Sequence, residues 1–354
     1  MVFNQLALLQ KQSSSWAFSI HNVFHMKILI VSNQVCNPKI VGNPILYRMK
    51  ESLARDERVE TVDFERFRNR KPLKSLLAIA RAARCHDIVH VHFGGIYSLL
   101  VRLFLTGSKS RKLITFHGTD IHAKALKTTN NRWKRLKIRV NRRASFVCIS
   151  RFDAVGFVSN EMKKYVPQRL LKRQSWRMFT QPLGVDYRLF TPLAKEEARA
   201  QLNISNGIQI LFSDVHNSSV KRRDIAEQIV ENLGKEYHLL VMCGISPNEV
   251  PLWLNACDLV LLTSDEEGSP NIIREGLSLN KRIFSVDVGD ARRQLEGLVN
   301  STIISRNPSE AARQILRFMA YEYTDNTRDT RRDNIDFDRI NKSVVDLYER
   351  LLAK

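Results

Sequence analysis

The sequence predicts an α/β protein made of two doubly wound parallel sheets that face a cleft. Three observations carry this. The chain has 354 residues, and about 150 residues per domain leaves room for two. Short runs rich in Val, Ile and Leu alternate with helical patterns along both halves, as parallel strands buried on both faces do. The stretch 181–192, with Pro182, Gly184 and Pro192, interrupts that alternation midway and reads as a link between two units.

Taken in order, residues 1–25 form an N-terminal extension with apolar patches but no basic leader or small-residue cleavage site. Strands of the first unit, 26–186, are expected at 27–32, 59–64, 87–92, 112–116 and 146–150. Those of the second, 187–335, are expected at 208–213, 238–243, 259–263, 282–286 and 302–305. Residues 336–354 make a closing helix. The longest apolar stretch, 96–105, contains Arg102 and is too short to span a membrane. The five cysteines, Cys36, Cys85, Cys148, Cys243 and Cys257, form no Cys-x-x-Cys pair. That argues against a disulfide framework or structural zinc and fits a reducing cytosol.

Charge divides the chain as sharply as the link does. The 56 Lys/Arg and 36 Asp/Glu leave a balance of +20. Residues 26–186 hold 33 basic and 11 acidic side chains; residues 187–354 hold 22 and 25. One unit, not the protein, is basic. Two stretches concentrate the charge. In 66–84, Leu73, Leu76, Leu77 and Ala80 fall at helical spacing among seven Lys/Arg; in 132–143, Trp133, Leu136 and Val140 do so among seven more. Both read as basic amphipathic helices. Each either packs its apolar stripe on the core or meets anionic lipid headgroups or an anionic lipid-linked substrate, at about 1 kcal/mol per basic residue near such a surface. A nucleic-acid partner is the other reading of such charge, but no helix-turn-helix, RNP or zinc-finger pattern accompanies it.

Ligands of doubly wound sheets bind beyond the carboxyl ends of the strands, so polar residues just after strands carry the functional expectation. The richest such segment is 261–284. A strand ends near Thr263, an acidic loop follows, and a helix opens at Pro270 or Asn271, where the missing N–H of proline costs nothing. Free N–H groups after Gly268 form a seat for a diphosphate. Glu267 lies before the helix and Glu275 within it, so both carboxylates can face one cleft and accept hydrogen bonds from sugar or ribose hydroxyls. Taken singly, each glutamate also reads as an acidic cap or an incidental surface charge.

This segment resembles the Glu-x(7)-Glu signature of retaining family 4 glycosyltransferases, enzymes of the GT-B fold that move a sugar from a nucleotide-sugar donor. Further stretches resemble the family in its order. His117-Gly118-Thr119-Asp120 is similar to its His-Gly-x-Asp loop, and 87–92 to its third strand. Ile149-Ser150 resembles a strand-ending serine. Pro182-Leu183-Gly184-Val185-Asp186, with Phe190 and Pro192, resembles the interdomain link. Val286-Asp287-Val288-Gly289 resembles the loop after the next strand.

The resemblance implies donor contacts at Lys221, Arg222, Gly268, Ser269, Pro270, Asn271 and Glu275. Glu275 would hold the ribose, Glu267 would lie by the transferred sugar, and Lys221 would neutralise the leaving diphosphate. A cation there matches the negative charge that develops in the transition state. His117 and Glu267 are the implied catalytic pair, and Gly42 and Asp120 the acceptor side. The chain departs from the pattern in two places. The first loop has Gly42 where a Gly-Gly pair is usual, and no arginine precedes Lys221 within 213–220, so Arg222 or Arg223 is the stand-in.

The resemblance implies no metal and no cofactor; the nucleotide sugar is a substrate. The expected partners are that donor, a glycan or lipid-linked acceptor and an anionic membrane surface. The expected place is the cytoplasmic face of the membrane, in surface polysaccharide assembly. A sugar-nucleotide epimerase on the same fold and a basic nucleic-acid-binding protein are the alternatives.

Overall fold

The computed structural model describes residues 25–36, 44–122, 131–214, 218–321 and 327–353. The first unit runs β1 (Met26–Ser32), α1 (Pro44–Leu53), β2 (Val59–Arg66), α2 (Pro72–Ala82), β3 (Ile88–His92), α3 (Ile96–Phe104), β4 (Arg111–Phe116), α4 (Arg132–Arg151), β5 (Ala154–Phe157), α5 (Gln168–Gln174) and β6 (Met178–Thr180). Its strands pair in parallel in the order β2-β1-β3-β4-β5-β6. Central strands such as β3 are buried at every residue, which is why they read as continuous apolar runs and not as alternating ones.

The second unit runs α6 (Lys195–Leu202), β7 (Ile208–Ser213), α7 (Arg223–Leu233), β8 (Tyr237–Met242), α8 (Val250–Ala256), β9 (Leu259–Leu262), α9 (Asn271–Leu277), β10 (Arg282–Ser285), α10 (Ala291–Leu295), β11 (Thr302–Ile303) and α11 (Pro308–Met319). Its parallel order is β11-β10-β9-β7-β8. The short α12 (Thr327–Thr330) and α13 (Arg332–Ile335) lead into α14 (Phe337–Leu352). Among the described residues no helix is long and apolar enough to cross a membrane.

Crossover handedness sorts the helices of the first unit. The steps β2 to β3, β3 to β4, β4 to β5 and β5 to β6 all run one way across the sheet, and β1 to β2 runs the other way. Right-handed connections therefore put α2, α3, α4 and α5 on one face and α1 on the opposite face. The two cores agree. Leu76, Ile79, Val101, Cys148 and Ile149 share one cluster, whereas Met49 and Leu53 share another with Val344, Val345 and Tyr348 of α14.

The chain thus returns from the second unit to cover the first sheet, and the two crossings lie side by side. The Val185 N–H donates to the Ile335 carbonyl (2.7 Å), and the Phe337 N–H donates to that of Val185 (3.0 Å).

A buried polar chain joins these crossings to the sheet. Thr115 Oγ1 donates to Gln181 Oε1 (2.8 Å), so it accepts from His90 Nε2 (2.8 Å), and His90 Nδ1 accepts from the Tyr348 hydroxyl (2.6 Å). That order fixes the Nε2–H tautomer of a neutral imidazole. Burial pushes His90 down to about 3, and His117 adds to the effect.

One expected strand is a helix. Residues 146–150 form the last turns of α4, so Ile149 and Ser150 do not end a strand. The run Phe146-Val147-Cys148-Ile149 is short and apolar, and periodicity alone does not separate such a run from a buried helix segment. Asn131 caps α4 by accepting the Lys134 N–H (3.0 Å), and the helix continues for 20 residues. The strand follows it at Ala154–Phe157, and the serine at its end is Ser159. The expected stripe on α2 also divides: Leu76 is buried, while Leu73 and Leu77 are exposed.

Candidate active site

Beyond β4, His117-Gly118-Thr119-Asp120 closes into a tight loop around the Asp120 carboxylate. That group accepts N–H bonds from His117 (3.1 Å), Gly118 (2.8 Å) and Gly94 after β3 (2.7 Å). Burial pushes its carboxyl up, and these donors oppose the shift. The Asp120 oxygens are turned into the loop and set its shape. Above it, the His117 ring stacks on Phe93 (4.1 Å), and its Nε2 lies 3.0 Å from His92 Nδ1. Burial also holds His117 down, at about 3.

Facing this loop, the segment after β9 brings up Glu266, Glu267 and Gly268. Glu267 Oε1 accepts from Lys221 Nζ (2.6 Å) and Ser264 Oγ (2.9 Å). Lys221 ends the single 3-10 turn Ser219–Lys221 after β7, and Thr263 Oγ1 donates to its carbonyl (2.9 Å). Gly268 lies backbone to backbone against the His117-Gly118 loop, where an added Cβ would overlap the His117 carbonyl oxygen. Ser159 Oγ donates to the Gly268 carbonyl (3.0 Å), and His122 Nδ1 is 2.9 Å from Glu266 Oε1. Both units therefore grip the three-residue segment 266–268.

Beyond it, Pro270 stands at the N-cap of α9, a helix of seven residues that begins at Asn271. Ser269 is buried; its hydroxyl donates to Asp290 (2.8 Å) and accepts from Arg274. Glu275 sits in α9 with Arg48 Nη1 of α1 at 3.6 Å. Arg48 also donates to the Pro247 carbonyl (3.2 Å), so one side chain of the first unit spans to two places in the second. Burial pushes the Glu275 carboxyl up, while Arg48 and Arg274 draw it down. A pocket of about 160 Å³ opens beside these groups, bounded by His122, Lys164 and Tyr165 of the first unit and Glu266, Glu267 and Gly289 of the second.

No protein-family model matches the sequence, and no curated protein does. Solved structures match nearly the whole chain. HepE of Anabaena, in complex with UDP, superposes with a TM-score of 0.68 at 14% identity, covering 92% of this chain and 100% of that one. Sucrose-phosphate synthase from Thermosynechococcus elongatus gives 0.62 at 15%, covering 93% and 100%. A putative UDP-N-acetylglucosamine 2-epimerase from Listeria monocytogenes gives 0.55 at 10%, covering 91% and 95%. The fold is GT-B.

Within the GT-B cleft, the expected residues His117, Lys221, Glu267 and Gly268 come together at one point; Pro270 and Asn271 follow at the start of α9, and Glu275 lies within that helix against Arg48. Ser269 and Asp120 support their loops from inside. Arg222 turns away: its guanidinium lies against Asp224 (2.7 Å) and Asp265 (3.5 Å) on the rim, so it does not join Lys221. Gly42 lies outside the described residues.

Sequence reasoning missed Arg48, Ser159, His122 and Glu266. Ser159 was hidden by the misplaced strand. His122 and Glu266 adjoin motif residues and could have been included on proximity. Arg48 is one arginine in an ordinary helix and carries no signal of its own.

Proposed function

We propose that this chain is a retaining glycosyltransferase that moves a sugar from a nucleotide-sugar donor to a glycan or lipid-linked acceptor. In this reading residues 187–335 hold the donor and 26–186 receive the acceptor. The work belongs to surface polysaccharide assembly at the cytoplasmic face of an anionic membrane. The observation that carries the reading is the convergence of Lys221, Glu267 and the His117-Gly118 loop where the carboxyl ends of both sheets meet.

Glu275 accepts the ribose hydroxyls, and Lys221 leaves Glu267 for the diphosphate as charge builds on it. The bond from the anomeric carbon to the phosphate oxygen breaks, and the bond to the acceptor oxygen forms on the same face. The acceptor proton passes to the departing phosphate oxygen. Glu267 and the neutral His117 line the oxocarbenium-like state. No resident metal or cofactor takes part.

The test is release of nucleoside diphosphate from a panel of nucleotide sugars with extracted lipid-linked acceptors. Wild-type protein should release it with one donor, and Glu275→Ala should abolish release. Unchanged turnover in that variant would sink the site assignment. Conversion of a donor without any acceptor would favour an epimerase.

A further inference from the structure

The sequence singles out two basic helices; the fold joins them to two more. We propose that the outer surface of the layer α2, α3, α4 and α5 is a lipid-contact face. On it, exposed tryptophans insert at the headgroup boundary and a ring of Lys/Arg binds anionic headgroups. The four helices are consecutive neighbours: α2 packs on α3, α3 on α4 and α4 on α5. Their inner faces fill the core, and their outer faces keep large apolar side chains in solvent. Trp133 is 80% exposed, Trp176, in the turn after α5, 69%, Leu73 60%, Leu103 56% and Leu136 48%. A single exposed leucine is ordinary, but a set of large ones on one layer is not.

The geometry of α4 is the strongest part. From Arg132 to Val140 every residue but Ile138 is exposed, so the N-terminal half of the helix stands clear of the body. Trp133, Leu136 and Val140 occur at i, i+3 and i+7, one stripe of a helix. At the other end of α4, the Arg177 guanidinium covers the Trp176 ring at 4.3 Å and donates to the Phe152 carbonyl (2.8 Å), which places that second tryptophan beside the end of the helix.

Charge decides the occupant. The stretches 66–84, 94–111, 131–151 and 167–177, which build this layer, hold 22 Lys/Arg and no Asp or Glu. That matches the whole excess of the basic unit. Among the described residues none of these cations is in an ion pair. The opposite face is mixed: Arg55 pairs with Asp338 (2.5 Å), and Arg58 with Asp346 (2.7 Å) and Glu349 (2.9 Å).

A surface of one sign repels itself unless a counter-charge covers it. An anionic leaflet supplies that charge and also takes up apolar side chains and indole rings at its boundary. A nucleic-acid backbone supplies the charge but offers no apolar layer for Leu73, Leu103 and Leu136.

The test uses the full chain without donor or acceptor, so its outcome is separate from that of the turnover assay. Co-sedimentation is measured with vesicles of phosphatidylcholine alone and of phosphatidylcholine with three parts in ten of phosphatidylglycerol. Binding should require the anionic lipid, and tryptophan emission should shift to the blue. Combined Trp133→Ala and Trp176→Ala, at exposed positions that leave the core intact, should weaken binding by about tenfold or more and remove most of the shift. Leu53→Ala, in the core of the other face, should not change binding by the folded fraction. Equal binding to both vesicles, undiminished binding by the double variant, or tight binding to duplex DNA with none to vesicles would each overturn the proposal.

Discussion

Gly268 is the position where one atom decides whether the two halves of the site meet. A Cβ there would overlap the His117 carbonyl oxygen and crowd the Gly118 Cα at 3.1 Å, and both are backbone that cannot swing aside. Gly268→Ala should therefore part the two loops. We expect a loss of stability of about 1–3 kcal/mol, the usual cost of overpacking, and a fall in turnover larger than the stability loss explains. Chemical denaturation and initial-rate kinetics check this; a fully active variant would mean the loop contact has no part in the chemistry. Residues around this point show what a sequence discloses. Glu267 and Gly268 were legible because their types and spacing match the chemistry they are proposed to do. Arg48 was not, because its partner Glu275 lies 227 positions away and only the folded cleft brings them together.

Elements carry a different kind of information. The central strands other than β5 were legible to within a residue or two, because burial on both faces leaves an unbroken apolar run. The short edge strand β6 left no such run, and the apolar end of α4 imitated one. The closing helix α14 was expected as a helix, but its bond to the sheet was not, since Tyr348 meets His90 only through the return crossing.

That bond has a pH signature. His90 is held neutral with its value near 3, against about 6.5 in an unfolded chain. Its contribution to stability is complete above about 6.5 and declines as the pH falls toward 3, where the unfolded chain binds a proton that the folded chain refuses. The unfolding midpoint should drop between neutral pH and pH 5. In His90→Gln, less stable at neutral pH, the drop should be smaller. An equal drop in the two proteins would contradict a neutral buried imidazole.

At the scale of the whole molecule, two units, each with a core on both faces of its sheet, meet over one cleft, and the charge divides with them. The second unit is close to neutral, so Lys221 stands out there as a cation facing the cleft, while the basic excess covers one outer face of the first. The split was countable from the sequence; its confinement to one face depended on the handedness of four crossovers. The central claim is that the cleft binds a nucleoside diphosphate between Lys221 and Glu275. Titration calorimetry with a set of nucleoside diphosphates tests it directly. One of them should bind wild-type protein, with affinity lowered about tenfold or more in Lys221→Ala and in Glu275→Gln and nearly unchanged in Arg222→Ala. Failure of every nucleoside diphosphate to bind, or wild-type affinity in both cleft variants, would contradict the account.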